Sequence, residues 1–423
     1  MTEFKTRENN QQSLRNTSVM IDIASASFDH AHYQGIMAIY ATPSANRLVR
    51  LQPSDQPVTD FVRCSYLGLD NHPEILDGAR EAISRTGAFH WSCARTRLNF
   101  DVLGQLEREL SNLFQARILT FTTVLAANMS ALPILASGHL TGGRKPLMVF
   151  DRLAHATLAH HKAVAAQETE VTTIPHNDMP ALEALCQSHR QVAYICDGVY
   201  SMGGHAPIGE LLRLRDKYGL FLYIDDAHGI SIHGETGSGY ARTAIHDLGD
   251  RTIVAASLGK GFGASGGILM LGTAAQELIF RRFAIAHAFS ASLTTAAVGA
   301  ALASAAIHAS PELGRRQQLL QKNLAHLDAR LKGGEPPSNL PIRTVRFGDE
   351  LLSVAAAREL LRRGFYTSAI FFPTVARSQA GLRVCLTASH SRQDIDGLCD
   401  AIDDVKAEIA SNRINIISDK GLD

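Results

Sequence analysis

The chain has 423 residues, 45% of them apolar and 19% charged, which excludes a disordered chain and leaves room for two or three domains with substantial cores. Lys and Arg number 41, as do Asp and Glu, so zero net charge gives no wholesale attraction to nucleic acid or an anionic membrane. Six cysteines without a C-x-x-C pair point to buried thiols in a reducing compartment, not to a disulfide framework.

The N-terminus, MTEFKTRENNQQSLRNTS, is polar and acid-containing. It has no apolar core of a secretory signal, and a cytoplasmic location is expected. A tail and an arm or short helix around Phe28–Tyr40 are expected before residue 60. Leu103, Leu106, Leu110 and Leu113 recur at helical spacing. The apolar run ILTFTT (118–123) follows, then an Ala-rich helical segment. PLMVFD (146–151), VAYICD (192–197), FLYIDD (221–226), TIVAAS (252–257) and ILML (268–271) read as buried strands. LLRLRDKYG (211–219) reads as a helix with a glycine stop. Strands alternating with helices predict parallel β-α-β units and an α/β fold. The stretch Thr294–Ala309 falls short of the ~20 apolar residues of a membrane span. It reads as a small-residue helix in a core or subunit interface. A long polar helix (312–333), a Gly/Pro-rich break (333–341), short strands and two helices predict a smaller α+β domain. The expected division is 1–60 as tail and arm, 61–300 as a large domain and 301–423 as a small one. Arg281 and Arg282 offer a local basic patch, against the plainer reading of a solvated helix face.

Ligands of open α/β sheets gather at the carboxyl ends of the strands. Polar residues follow four predicted strands there: His155 and Thr157, Asp197 and Ser201, Asp225 and His228, Ser257 and Lys260. The segment SLGKGFGASGG (257–267) contains G-x-G-x-x-G and G-x-S-x-G. Both motifs need a helix after the turn, and here a strand follows. Glu277 lies too close for a ribose-binding acid, and His390 precedes Asp394, the wrong order for a Ser265 hydrolase. A third reading is a reactive lysine. Lys260 follows a buried strand and lies among residues without bulk, where a cofactor can approach.

The ordered motifs YLGLDNHP (66–73), TTVLAAN (122–128), HNDM (176–179), DGVYSMGG (197–204), IDDAHG (224–229), SLGKGFGASGG and FSASL (289–293) resemble those of fold-type I pyridoxal-phosphate enzymes. Within these they resemble the α-oxoamine synthases, over about Phe61 to His390. The resemblance implies an aspartate-aminotransferase-like fold with a large, mostly parallel sheet domain. It implies pyridoxal 5'-phosphate as cofactor, joined to Lys260 as a Schiff base. Asp225 then faces the pyridine nitrogen and keeps it protonated; a metal pair or helix cap is the plainer reading of Asp225–Asp226. His228 reaches the phenolic oxygen, and His155 lies against the ring. His160 and His161 inherit no position and read as structural. Backbone N–H groups of Thr123, Val124 and Leu125 hold the phosphate at a helix start, with Ser257. Ser290 reaches it from the partner subunit of a homodimer. Ser201 lies near ring and substrate. Arg383 binds the amino acid's carboxylate, against the plainer reading of a strand-edge arginine. No metal is implied.

The implied reaction joins an amino acid to an acyl thioester of coenzyme A or a carrier protein, with loss of CO2, giving an α-amino ketone. Lys260 or His155 assists removal of the Cα proton. Rival readings are an aminotransferase or decarboxylase of the same fold, and a non-catalytic subunit of a heteromeric synthase. Two departures from the family stand out. His90 and Trp91 replace small residues, and Trp91 either reshapes a substrate pocket or belongs to the core. Cys64 and Ser65 stand where an asparagine often helps to bind the amino acid.

Overall fold

A computed structural model describes residues 17–331 and 338–411. The expected N-terminal tail and residues 333–337 of the Gly/Pro-rich break lie outside the described residues. Among the described residues, contacts group Leu69–Gly314 as one unit and residues 17–68 with those from Arg315 as a second, discontinuous one; the boundaries expected lay at 60 and 300.

The Leu69–Gly314 unit is built on a seven-stranded sheet. In spatial order its strands are Arg117–Phe121, Gly267–Leu271, Thr252–Ser257, Phe221–Asp225, Val192–Asp197, Leu147–Asp151 and Val171–Ile174. Gly267–Leu271 is antiparallel to both neighbours and the other pairings are parallel. Five strands are buried at every position or all but the last, because helices cover both faces. The two resulting cores meet the sheet from opposite sides. Leu103, Leu106 and Leu110 of the Asp101–Phe114 helix pack in one, and Ala127, Ala131 and Leu135 of the Val124–Ala136 helix in the other. The helix Ile208–Tyr218 stops at Gly219, whose φ of 71° is the left-handed cap that glycine takes without strain.

The small-residue helix, Thr295–His308, packs on the Pro73–Thr86 helix. Their closest approach is glycine to glycine: a Cβ on Gly299 would lie 2.2 Å from the Gly78 carbonyl oxygen and 2.4 Å from Ala82 Cβ. Of the two readings of this segment, the fold places it in a helix pair within its own unit.

The other unit is discontinuous because its sheet is. Ala41–Pro43, Leu48–Leu51 and Pro57–Asp60 form an antiparallel meander, and Phe365–Tyr366 adds to it in parallel. Ile342–Gly348, Ala380–Cys385 and Ser368–Ile370 make a second, antiparallel sheet. The arm is a helix, Thr17–Tyr33, longer and earlier than expected. Its Phe28 meets Phe371 edge to face, with ring centroids 5.2 Å apart. Arg47, 2% exposed, donates to Asp60 at 2.7 Å, and Asp60 also accepts from Arg63. Burial opposes ionisation of Asp60, but the two guanidiniums hold its carboxyl below the usual range.

A Gly299→Leu substitution should separate the two helices. Overpacking of this kind costs about 1–3 kcal/mol, and denaturant melts should show a lower midpoint than Gly314→Leu, whose Cβ meets no atom.

Candidate active site

Four parallel strands end in a polar residue at one sheet edge: Asp151, Asp197, Asp225 and Ser257. The strand direction sets this edge, and the loops that follow carry the remaining candidates.

Asp225 is 3% exposed. Its Oδ2 accepts from Asn128 Nδ2 at 3.0 Å and its Oδ1 from the Ala227 N–H at 3.1 Å. Asn128 is fully buried and held in turn: Tyr223 donates to its Oδ1 at 2.7 Å, and its Nδ2 also reaches Thr157 Oγ1 at 3.3 Å. Thr157 Oγ1 lies 2.9 Å from His155 Nδ1, and the His155 N–H donates to Asp197 Oδ2 at 2.9 Å. One hydrogen-bonded chain therefore runs from Asp225 to His155 and on to Asp197. Asn128 lay inside a quoted motif but carried no predicted role. A lone amide on the otherwise apolar first turns of a helix was the available signal.

Lys260 and His228 meet: Nζ lies 2.6 Å from Nε2. His228 is buried and Lys260 half-buried. Burial, and then the charge of Asp225, push the Asp197 carboxyl well above the usual range, while the His155 N–H and the Lys260 ammonium pull it back. Lys260 thus stands within electrostatic reach of the same edge.

Asp226 turns to a different task. Its Oδ2 accepts from the Ala241 N–H at 2.9 Å, and its Oδ1 is buried without a partner. Gly198, Gly229 and Gly239 close around it, and a Cβ on any of them would come within 2.4 Å of its oxygens. Burial lifts this carboxyl to about 7, against the Ala241 N–H and with the help of Asp225. Of the plainer readings of Asp225–Asp226, the helix cap describes Asp226, which accepts from the first turn of the Tyr240–Ala244 helix. Among the described residues no three His, Cys, Asp or Glu side chains gather as a metal site.

Thr123 caps the Val124–Ala136 helix, its Oγ1 accepting from the Ala126 N–H at 3.1 Å. The N–H groups of Val124 and Leu125 have no acceptor within the helix, and the helix start favours an anion. Gly267 lets its strand pass this turn: a Cβ there would lie 2.4 Å from Val124 N. Ser257 Oγ accepts from the Gly259 N–H at 3.2 Å, so its hydroxyl proton remains to donate. Ser201 sits half-buried in the turn closed by the Val199–His205 bridge. That turn is pinned by His176, whose Nδ1 is 3.0 Å from Asp151 and whose Nε2 is 2.9 Å from the Gly203 carbonyl oxygen. Burial would lower the His176 pKa, but Asp151 outweighs it and raises it. His161 and His160 stack edge to face, and burial lowers His161 to about 4.

Ser290 is exposed and within the chain reaches only the Ala291 carbonyl oxygen, at 3.5 Å. Arg383 belongs to the discontinuous unit. Its Nη2 donates to Cys64 Sγ at 3.7 Å, and its buried Nε has no hydrogen-bond partner. Trp91 is tied down locally, donating to the Leu98 carbonyl oxygen at 3.0 Å and meeting Phe100 edge to face. That favours the core reading of Trp91; His90 is exposed. Arg281 is no free patch: it pairs with Glu107 at 3.1 Å and Glu277 at 2.9 Å. With Arg95 and Arg117 these residues line a cavity of about 650 Å³ that contains none of the candidate residues.

The Asp225 environment tests the fit of pyridoxal phosphate. A carboxylate this buried needs compensation, yet among the described residues its hydrogen bonds come from neutral donors alone. A protonated pyridine nitrogen is a cation of matching size. The free helix N–H groups at Val124 and Leu125 match a phosphate, and Lys260 beside His228 matches the aldehyde and phenolic oxygens. The residues present fit the cofactor.

The described edge is that of a fold-type I pyridoxal-phosphate enzyme. The aminotransferase class I and II family matches residues 63–402, and the chain belongs to it, within the α-oxoamine synthase branch. An 8-amino-7-oxononanoate synthase of Geobacter sulfurreducens is 30% identical over 371 residues, covering 86% of this chain and 92% of its own. One from Maricaulis maris is 32% identical over 340 residues, covering 79% and 83%. Among solved structures, Sphingomonas wittichii serine palmitoyltransferase matches with a TM-score of 0.81 at 20% identity, over 95% of this chain and all of that one. The 8-amino-7-oxononanoate synthase of Francisella tularensis matches with a TM-score of 0.68 at 21% identity, over 83% and 99%. These two show the fold.

The Asp226 carboxyl makes stability depend on pH. Its folded pKa of about 7 lies above the unfolded value of about 3.9. The unfolded chain ionises first, so this residue's contribution is full below about 4 and is lost as pH rises through about 7. Asp226→Asn should flatten the stability–pH curve across that window, as measured by denaturant melts; parallel curves would contradict this account.

Proposed function

We propose that this chain condenses an amino acid with an acyl thioester, of coenzyme A or a carrier protein, with loss of CO2, to give an α-amino ketone. The observation that carries the reading is one sheet edge that holds both the hydrogen-bonded chain from Asp225 to His155 and the Lys260–His228 pair, in a chain about 30% identical to named 8-amino-7-oxononanoate synthases.

Lys260 would hold pyridoxal phosphate covalently, with Asp225 at its ring nitrogen, His228 at its phenolic oxygen, His155 against its face, and the Thr123–Leu125 turn and Ser257 at its phosphate. Bound there, the cofactor supplies an electron sink for the electron pair left on the substrate's Cα. The rest falls to the protein. Asp225, fixed by Asn128 and Ala227, keeps a proton on the ring nitrogen. Lys260 would serve as the base for the Cα proton, with His228 at 2.6 Å orienting its amine. His155, its ring nitrogen held by Thr157, keeps a flat face to the ring. Arg383 offers guanidinium donors to the substrate carboxylate, and Ser201 lines the substrate side.

The enzyme is further proposed to act as a cytoplasmic homodimer. Phe283, Ile285 and Phe289 are 68%, 50% and 85% exposed beside Ser290. An apolar cluster of this size suits a subunit interface, and the partner's counterpart of this segment would bring Ser290 to the phosphate. No described helix is long and apolar enough to cross a membrane.

Lys260→Ala should abolish turnover and the visible absorbance of the lysine-bound cofactor. Wild-type enzyme given an amino acid and an acyl thioester should release free thiol and CO2 in equal amounts. Conversion of the cofactor to its amine form by amino acid alone, with no thiol released, would instead establish a transaminase.

A further inference from the structure

The departure at Cys64 has a structural counterpart. The segment carrying Cys64 crosses the end of the Ala380–Cys385 strand and is fixed on either side of the cysteine. The Cys385 N–H donates to the Phe61 carbonyl oxygen at 2.7 Å, and the Ala388 N–H to that of Tyr66 at 2.8 Å. Arg383 and Cys385, two positions apart on a strand, share a face. Cys64 meets both. Its sulfur accepts from Arg383 Nη2 at 3.7 Å, and it stands close enough to the Cys385 thiol to be the first cause of that thiol's raised pKa. Cys64 is half-buried and Cys385 fully buried. One thiol is thus open to a small reagent, the second waits beneath it, and a guanidinium stands beside the first. Such a setting favours thiol–disulfide exchange. The neighbouring Cys64 and burial hold the Cys385 proton tightly, which suits Cys385 to the resolving role and not to first attack.

We propose that Cys64 and Cys385 form a redox-reversible dithiol site that couples oxidation by a low-molecular-weight disulfide to the position of Arg383. Cys64, as thiolate, attacks one sulfur of the small disulfide and releases one small thiol. Cys385 then attacks the Cys64 sulfur, loses its proton and releases the second. The two cysteines are oxidised by two electrons and the small disulfide is reduced by two, giving one protein disulfide and two small thiols. Joined to Cys385, Cys64 no longer holds the guanidinium through its Nη2. In a reducing compartment such a bond is transient and signals oxidation. The disulfide rests on the placement of Cys64 over the face that carries Arg383 and Cys385; its effect on substrate rests on the carboxylate role proposed above for Arg383.

The test uses full-length, cofactor-loaded enzyme treated with oxidised glutathione, then alkylated and digested without reductant. Mass spectrometry should find the Cys64 and Cys385 peptides joined, and separated again by dithiothreitol. Both cysteines still open to alkylation after unfolding, or Cys64 halted as a glutathione adduct, would overturn the site. Cys385→Ala should halt Cys64 at that adduct; if this variant does not fold, the wild-type peptide map decides. For the coupling, the amino-acid KM measured by CO2 release should rise several-fold on oxidation with little change in kcat, and recover on reduction. An unchanged KM overturns the coupling if Arg383→Lys raises KM in the reduced enzyme. If Arg383→Lys leaves KM unchanged as well, the carboxylate assignment is what has failed, and the peptide map still decides the disulfide.

Discussion

A carboxylate buried at the end of a strand is the constraint around which this site is arranged. Asp225 is 3% exposed, and leaving a charge unpaired at such depth is costly. The fold spends a helix side chain, Asn128, and a backbone N–H, that of Ala227, on it. Asn128 has to be buried to do so, and Tyr223, from the same strand as Asp225, occupies its remaining acceptor. The helix that carries Asn128 also starts at Thr123. The residue that anchors Asp225 and the turn suited to an anion therefore belong to one helix, five residues apart in sequence. Displacing that helix would disturb both ends of the proposed cofactor site together.

Asp197, Asp225 and Asp226 crowd together at this edge, and their surroundings divide them. Asp197 and Asp226 are both pushed toward the protonated form by burial, with Asp225 adding to the push. Repulsion among like charges in a low dielectric is relieved when neighbours hold their protons. These neighbours take structural tasks: Asp197 fixes the backbone of His155, and Asp226 fixes the start of the Tyr240–Ala244 helix through Ala241. The glycines that face Asp226 are the space this carboxyl needs. The segment around Lys260 repeats the lesson. A Cβ on Gly263 would lie 2.3 Å from that of Leu69, and one on Gly267 2.4 Å from Val124 N. These glycines satisfy close packing on the way into a strand. That is why they imitate nucleotide and hydrolase motifs without the helix those motifs need.

Much of the Leu69–Gly314 unit was legible because parallel strands buried on both faces leave contiguous apolar runs. VAYICD and TIVAAS match their strands residue for residue. The strand Val171–Ile174 was missed: it lies at the sheet edge, is half-buried at three of its four positions, and breaks the apolar pattern with two threonines. The residues proposed around the cofactor were legible through the order of motifs, since each follows a strand. Asn128 was not, because its role is set by the partner it meets 97 positions away. The discontinuity of the second unit was not legible for a related reason. Its membership depends on Pro57–Asp60 pairing with Phe365–Tyr366, and nothing local in either segment announces a partner some three hundred residues distant.

The same distance explains why Cys64 looked like a mere loss. Read along the chain, Cys64 and Ser65 stand where an amide is expected near a tyrosine. Read in the fold, it lies over a strand that presents Arg383 and Cys385 on one face, held there by the Phe61 and Tyr66 carbonyls. An arginine whose Nε is buried without a partner keeps its position through the few contacts its other nitrogens make. A sulfur is a weak acceptor for such a donor. The guanidinium is consequently held less firmly by Cys64 than an oxygen acceptor would hold it, and the carboxylate role proposed for Arg383 rests on a side chain with that looser grip.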